Sequence, residues 1–226
     1  MQKLIRQLAA CAALVGAGLS PLAHAATLID FEGDALAGLY LPGDSFSQGG
    51  YTLTANNDFG IVGINADLGG VAPTGNDTQY FFNSNDGYLS LASTGGVAFS
   101  LDSFSAAFVP LIPSPVPNPT IVMVAAGINT SGDFVGYFFN FGSSATDNKP
   151  FVTYNTGGLF NDMVEIQFYA CVLDSSVCAT PSFNNGQFAL DNISVTAVPE
   201  PTTLVLLALG LAGMVVRSRS NVRSVR

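Results

Sequence analysis

Short apolar or alternating segments run through the chain between residues 26 and 198, and clusters of Gly, Asn, Asp and Pro separate them. No window there keeps the 3.6-residue period of an amphipathic helix, whereas alternation with a period of two is typical of strands with one buried face. The pattern predicts about ten strands, at 27–32, 51–55, 59–64, 88–93, 97–109, 121–126, 134–141, 151–154, 163–172 and 187–196. An antiparallel β-sandwich of the jelly-roll type is the simplest all-β architecture that buries them.

Two segments predict individual core positions. In 163–172 the alternation predicts one face made of Val164, Ile166, Phe168 and Ala170 and an opposite face made of Glu165, Gln167 and Tyr169. In 187–196 it predicts Phe188 and Leu190 in the core, followed by either Ile193 or Val195. Residues 110–119 contain five prolines, which cannot donate to a β-ladder, so this segment is predicted to be a stiff exposed connection.

The N-terminus has the order of a secretory signal peptide. A basic start precedes an apolar run of twelve residues, and the small side chains of Ala23 and Ala25 precede Ala26. This predicts a signal peptide over residues 1–25 that signal peptidase removes, with Ala26 as the new N-terminus. An uncleaved anchor is the alternative, but twelve residues are short for a hydrocarbon core of about 30 Å. Lipidation at Cys11 is a second alternative, disfavoured because too little apolar sequence precedes it.

The C-terminus carries three elements in a fixed order. Pro199, Glu200 and Pro201 are followed by an uncharged apolar stretch at 202–216 and then by a basic end. Residues 198–226 resemble a PEP-CTERM sorting signal on these elements. The resemblance implies a short hydrophobic helix that anchors the protein transiently in the inner membrane, processing by exosortase, and then a cell-surface or extracellular location. An ordinary C-terminal anchor is the alternative. A single domain is predicted over 26–197.

The charges between residues 26 and 198 exclude several function classes. This region has one base, Lys149, against fifteen acids, which gives a net charge of −14. The single histidine of the sequence, His24, lies outside this region, in the predicted signal peptide. Such a surface repels nucleic acids and anionic lipids. Without His or Arg, the region cannot form a Ser-His-Asp triad, a His-ligated zinc site or an arginine phosphate clamp. We therefore predict no enzymatic activity and no catalytic residues.

Removal of the signal peptide leaves two cysteines, Cys171 and Cys178. An even pair in an exported protein predicts a structural disulfide. A catalytic thiol would need an activating base, and neither His nor Arg is present to supply one.

Two further resemblances concern the ends of the predicted domain. Gln187, Phe188 and Asp191 match the Q-F-x-x-D motif of a subgroup of PEP-CTERM proteins. The first and last strands also resemble those of carbohydrate-binding jelly rolls, in which these strands lie side by side and acids near their ends hold a structural calcium ion. Carried over, this implies Glu32, Asp34 and Asp191 as calcium ligands; otherwise no cofactor is expected. The alternative is that these acids are ordinary solvated turn residues.

Glycan binding requires aromatic rings with amide and carboxylate groups around them. Two polar clusters with aromatic residues, at 56–59 and 76–88, are predicted to lie in loops, although Asn and Asp are also the usual turn residues. The sequence thus predicts an exported surface or matrix protein, a structural or glycan-binding component of an exopolysaccharide layer. A glycoside hydrolase that uses carboxylates alone is the alternative.

Overall fold

The computed structural model describes residues 26–109, 120–142, 150–174, 177–178 and 186–198. This part of the chain is almost entirely antiparallel β-structure. The strands are β1 Thr27–Ile29, β2 Gly38–Tyr40, β3 Ser45–Gln48, β4 Tyr51–Asn56, β5 Gly60–Gly63, β6 Tyr80–Asn83, β7 Tyr88–Ser93, β8 Phe99–Phe108, β9 Thr120–Asn129, β10 Phe134–Gly142, β11 Val152–Asp174, β12 Val177–Cys178 and β13 Phe188–Ala197. A helical turn, α1 Asn65–Leu68, is followed by a 3₁₀ turn at Gly69–Val71. The predicted all-β sandwich is confirmed.

Hydrogen bonding links all thirteen strands, and β11 is long enough to belong to two faces of the sandwich. We call β10-β9-β11-β7-β4-β3 the first sheet and β11-β8-β13-β6-β5-β2 the second sheet. The early part of β11 pairs with β8, and its later part lies between β9 and β7. The opening strand β1 pairs with the closing strand β13, with Ile29 opposite Ile193. The jelly-roll expectation that first and last strands are neighbours is therefore confirmed.

The core lies between the inner faces and is rich in phenylalanine. In β4 the inward positions Tyr51, Leu53 and Ala55 are buried, and the intervening residues are only half-buried. Phe104 is fully buried and contacts the rings of Phe139 and Phe168, at centroid distances of 4.9 and 5.3 Å. Aromatic packing of this kind buries large apolar areas. Because the buried side chains stand at every second position of a strand, period-two alternation located the strands.

The two strands predicted at 151–154 and 163–172 are one continuous strand, β11. The residues between them include Gly157 and Gly158, whose φ angles of 61° and 83° lie in the left-handed region that glycine adopts without strain. The register against β8 shifts twice, between Asn155 and Phe160 and again between Phe160 and Met163. These irregularities bend the strand instead of ending it, so a sequence that reads as a turn is a bend between two sheets.

The predicted core position of Val164 is wrong. Its side chain is 49% exposed, whereas Met163 and Ile166 are fully buried. Met163 pairs with Asn129 and Glu165 pairs with the adjacent Ile128, so Val164 is the extra residue of a β-bulge. A bulge inverts the alternation on one side of it, which turns Val164 outward and keeps the rest of the predicted face in the core.

A second bulge decides the alternative left open in β13. Asn192 has a φ of 49°, and the register against β8 shifts between Asp191 and Ser194. Phe188 and Leu190 before the bulge, and both Ile193 and Val195 after it, are fully buried. Simple alternation would place Phe188 and Leu190 on one face and Ile193 and Val195 on the other. The extra residue of the bulge restores the second pair to the core face.

Four strands were not predicted, namely β2, β3, β6 and β12. The segment predicted at 97–109 is one uninterrupted strand, β8. Several predicted features lie outside the described residues: the signal peptide with its cleavage site, the Pro-rich connection at 110–119, the Pro-Glu-Pro motif and the hydrophobic helix at 202–216. Within the described part of the chain, no helix has the length and apolar character to cross a membrane.

Candidate functional site

The predicted calcium-binding acids lie where the opening segment meets the closing strand. Glu32 follows the buried Phe31, whose φ of 57° is unusual for a bulky residue and is held by packing against Phe46 and Phe81. The backbone N–H of Phe31 donates to Gln48 Oε1 at 3.0 Å, and Gln48 Nε2 donates to Asp30 Oδ1 at 2.6 Å. This turn fixes Asp30 and Glu32 beside the end of the sandwich.

Asp191 is the buried acid of this region, with only 1% of its surface exposed. Its Oδ1 accepts from the Asn192 N–H at 2.7 Å, and its Oδ2 accepts from Asn76 Nδ2 at 2.7 Å and Asn192 Nδ2 at 2.8 Å. Burial raises the pKa of Asp191 to about 7, and the nearby charges of Glu32 and Asp30 raise it further, while the Asn192 and Asn76 hydrogen bonds oppose the rise.

The cover over Asp191 is built by the segment between β5 and β6. Asn65 at the start of α1 donates to the Asn76 carbonyl at 2.9 Å and accepts from the Tyr80 hydroxyl at 3.0 Å. Burial, followed by the charge of Asp67, raises the pKa of Tyr80 to about 12. Beneath this amide network lies a second apolar cluster on the outer side of the second sheet, made of Tyr80, Phe82, Ala107, Val109 and Ala189. Sequence reasoning missed this cover because its Asn residues read as turn formers.

The structure brings together part of the predicted calcium-ligand set. Glu32 and Asp191 interact, whereas Asp34 is exposed in the turn after β1 and the second carboxylate acting on Asp191 is Asp30. Among the described residues, no three Asp, Glu, His or Cys side chains are arranged to hold a metal ion. Backbone carbonyls also serve as calcium ligands. Calcium binding here therefore stays a prediction, and of the two other predicted ligands it is Glu32 whose charge acts on Asp191.

The residues of the Q-F-x-x-D motif are structural in their surroundings. Gln187 and Phe188 are fully buried, and Phe188 packs against Phe81 at a centroid distance of 6.5 Å. The start of β13 contacts the tight turn between β6 and β7, where Asn85 and Asp86 have φ angles of 43° and 62°. Gln187 Nε2 lies 3.5 Å from Asn85 Oδ1, and the Gly186 N–H donates to Asp86 Oδ1 at 2.7 Å. Membership of the motif's subgroup stays a prediction.

The two predicted glycan-binding loops have different outcomes. The cluster at 76–88 is not one loop, because Tyr80 and Asn83 belong to β6 and are buried, which removes them from any exposed surface. Burial also leaves the Asn83 Oδ1 atom without a hydrogen-bond partner among the described residues. In the cluster at 56–59, Asp58 Oδ1 accepts from the Phe59 N–H at 2.7 Å and from Ser84 Oγ at 3.1 Å. The Asp58 carboxylate therefore stabilises the turn between β4 and β5.

The predicted disulfide between Cys171 and Cys178 is confirmed. Their Cα atoms are 5.6 Å apart, within the range that a disulfide spans. Cys171 lies on β11 and Cys178 on β12, and Leu173 pairs with Cys178 across the hairpin. The bridge packs beside Val122 and Val124 on the outer side of the first sheet. It closes a short hairpin, which is a structural role.

Comparisons with known proteins support the reading of the C-terminus. The family model of the PEP-CTERM protein-sorting motif matches residues 197–220. The chain therefore carries a sorting motif that implies export and processing by exosortase. The match begins at Ala197, the last residue of β13, and covers the predicted Pro199, Glu200 and Pro201. No curated protein matches the sequence.

Solved structures resemble the chain only distantly. A DUF4465 family protein from Bacteroides ovatus has a TM-score of 0.46 at 9% identity, over 76% of this chain and 99% of that one. The CBM22-1 xylan-binding domain from Paenibacillus barcinonensis Xyn10C has a TM-score of 0.33 at 10% identity, over 80% and 99%. Likenesses at this level do not bear on function.

Proposed function

We propose that this protein is an exported surface or matrix protein, processed by exosortase, that serves as a structural or glycan-binding component of an extracellular polysaccharide layer. The observation that carries the proposal is the sorting motif at 197–220, which starts at the end of the closing strand. The β-sandwich is thus joined directly to the signal. A predicted signal peptide at the other end is the complementary requirement for export.

The described surface suits a role in a hydrated polymer layer. The described residues include no Lys, Arg or His, and the whole region 26–198 has one base, Lys149, against fifteen acids. Net charge of one sign keeps a protein soluble and limits non-specific association with other anionic molecules. The disulfide between Cys171 and Cys178 adds covalent stability that suits an oxidising exterior.

The glycoside hydrolase alternative has one feature in its favour and a stronger one against it. Asp191 has a raised pKa and carboxylates nearby, which is the electrostatic arrangement of a general acid. However, a general acid must reach the glycosidic oxygen of its substrate. Asp191 is 1% exposed, and both of its oxygens accept hydrogen bonds from Asn76 and Asn192. We therefore favour a binding or structural role.

Processing can be tested on the native protein in its own cells. We expect mass spectrometry of the extracellular form to find Ala26 at the N-terminus and to find no peptide from the basic end at 217–226. Substitution of Pro199, Glu200 and Pro201 by Ala should leave the protein in the membrane fraction. The triple substitution of Thr130, Ser131 and Asp133 by Ala, in an exposed turn outside the sorting signal, is the matched control. Release of the basic end with the extracellular protein would contradict the proposal.

A further inference from the structure

The outward side of β10 exposes two phenylalanines. Phe134 is 73% exposed and Phe138 is 45% exposed, and both lie on the side of the strand opposite to the buried Phe139 and Phe141. The position between them is Gly136, where a Cβ atom would come within 3.1 Å of Cε1 of the Phe134 ring. The ring therefore lies against the bare backbone at Gly136 and keeps most of its surface in solvent.

The outward side of β9 extends this apolar area. Ile128, opposite Phe134, is 52% exposed, whereas Val124, opposite Phe138, is buried in the cluster beside the disulfide, so the exposed apolar area ends there. Val164, which the bulge in β11 turns outward, is 49% exposed next to the same strand end. Exposed apolar groups that cluster in this way on a monomer commonly mark a binding site.

Polar side chains continue the surface across the remaining strands of the first sheet. The register places Gly136, Ala126, Gln167, Ser90, Thr54 and Ser45 in one row across β10, β9, β11, β7, β4 and β3. Each of the four polar members is exposed or half-buried. The parallel row starts with Phe134 and Ile128 and continues to Glu165, Ala92, Thr52 and Ser47. We call these two rows together with Phe138 and Val164 the outer face.

Hydroxyl and amide groups on the outer face already bond to one another. Ser45 Oγ and Thr54 Oγ1 are 2.8 Å apart, and Asn56 Nδ2, at the edge of the face, donates to Ser90 Oγ at 3.1 Å. Gln167 Nε2 donates to Glu165 Oε1 at 3.1 Å. These contacts orient the side chains while each hydroxyl or amide retains capacity for a further hydrogen bond.

We propose that the outer face binds a neutral polysaccharide, which lies across the strands of the first sheet. This inference rests on the proposed function and names its ligand class and site. The apolar C–H faces of the sugars would pack on Phe134 and Phe138, and their hydroxyls would bond to polar groups such as Gln167 and Thr54. Six strands at a spacing of about 4.8 Å give the face a width of roughly 24 Å, enough for several sugar units.

The acidic charge of the domain favours a neutral polysaccharide over an acidic one as the ligand of the outer face. The described residues contain no cation that could pair with an acidic sugar, and Glu165 is the charged side chain in the two rows. A carboxylated polysaccharide would meet net repulsion, because residues 26–198 carry a net charge of −14. A neutral sugar chain has no such penalty, and its hydroxyls can both donate to Glu165 and accept from Gln167.

A second copy of the chain is a weaker candidate for the same face. A stable protein interface takes roughly 20–30 residues a side and a well-packed apolar centre. The exposed apolar groups here are four, namely Ile128, Phe134, Phe138 and Val164, and polar side chains take up the rest of the face. Two copies would also bring together two domains that each carry a net charge of −14 over residues 26–198.

The test is binding of the exported protein to soluble polysaccharides. Isothermal titration and affinity electrophoresis would use mixed-linkage β-glucan, arabinoxylan and dextran as neutral polymers and alginate as the acidic one. We expect binding to a neutral polymer but not to alginate. Replacement of Phe134 and Phe138 together by Ala should weaken binding about tenfold or more, which corresponds to about 1.4 kcal/mol. Because both side chains are exposed, the double variant should fold and melt like the wild type.

Control variants separate failure of the site from failure of the function. The double substitution of Leu39 and Leu159 by Ala removes equally exposed apolar groups from other strands and should leave binding unchanged. The Phe134→Tyr variant should retain binding of the polysaccharide, because it keeps the aromatic ring. If the wild type binds a neutral polymer and the double Phe variant binds equally well, the site is wrong and the glycan-binding function stands. If the wild type binds none of the neutral polymers, both are overturned. A wild-type dimer that the double Phe variant converts to a monomer would assign the face to a second copy instead.

Discussion

Asn76 donates a hydrogen bond of 2.7 Å to Oδ2 of Asp191 across a separation of 115 positions in the sequence. The bond joins the cover over the second sheet to the closing strand, and its acceptor is a buried carboxyl group with a raised pKa. Through this bond a segment without strands contributes to the stability of the sandwich.

Removal of this bond should destabilise the protein. Above pH 7, where Asp191 is ionised, we expect Asn76→Ala to lower the free energy of unfolding by about 1.5 to 3 kcal/mol, because a hydrogen bond to a buried charged group is lost. Denaturant unfolding measures the loss. Asn155→Ala, which truncates an exposed strand residue, is the control and should change stability by less than about 0.5 kcal/mol. Equal effects of the two substitutions would show that the bond does not contribute.

The pKa of Asp191 makes stability depend on pH. Between its unfolded value near 4 and its folded value of about 7, the folded state retains a proton that the unfolded state has released. The contribution of Asp191 is therefore fully present below pH 4 and is lost as the pH rises towards 7. We expect the melting temperature of Asp191→Asn to fall less steeply than that of the wild type over this range.

A direct measurement keeps this prediction independent of the variant's folding. Carbon NMR of the Asp191 carboxyl group in the wild type should show a midpoint near pH 7. Asp133→Asn, at an exposed turn acid, should retain the wild-type slope of melting temperature against pH. A carboxyl midpoint near pH 4 would contradict the raised pKa.

Calcium should stabilise the protein if Glu32 and Asp191 share it with backbone carbonyls. We expect calcium to raise the melting temperature more than magnesium does, because magnesium requires a tighter octahedral shell. At about 100 times the dissociation constant the gain would be about 2.7 kcal/mol. Glu32→Gln should abolish the calcium-specific gain, and Asp44→Asn, at an acid in another turn, should not. Equal gains from calcium, magnesium and sodium chloride at matched ionic strength would leave only charge screening.

Loss of the disulfide should cost stability without changing ligand binding. The bridge spans a sequence separation of seven residues, for which the chain-entropy model gives about 2 to 3 kcal/mol. Replacement of Cys171 and Cys178 by Ser should therefore lower the unfolding free energy by about this amount. The control is dithiothreitol, which should destabilise the wild type but not the double variant. Rapid alkylation of native protein without reductant would refute the pairing.

The bulge in β11 predicts opposite outcomes at two nearby positions of similar character. Ile166→Ala should cost about 2 to 5 kcal/mol, because Ile166 is fully buried in the core. Val164→Ala should cost less than about 1 kcal/mol, because Val164 is 49% exposed. Denaturant unfolding of the two variants measures both. A larger loss for Val164 would place the bulge elsewhere in the strand.

The sequence by itself determined the features that depend on local order. Alternation located ten segments that fall in nine strands, because the side chains of a strand point to opposite faces in turn. The order of elements at the C-terminus identified the sorting motif at 197–220. The spacing of Cys171 and Cys178 and the absence of other cysteines after the signal peptide were enough to predict their bond.

Tertiary structure decided what depends on contacts between distant residues. Local alternation cannot reveal a bulge, so the exposure of Val164 and the burial of both Ile193 and Val195 followed from pairing with neighbouring strands. In the sequence, Tyr80 falls in a predicted loop, and nothing in the strand predicted at 187–196 indicates that Asp191 is covered. They are buried because a segment far from Asp191 in the chain folds over the sheet, and burial raises a carboxyl pKa only once that cover excludes water.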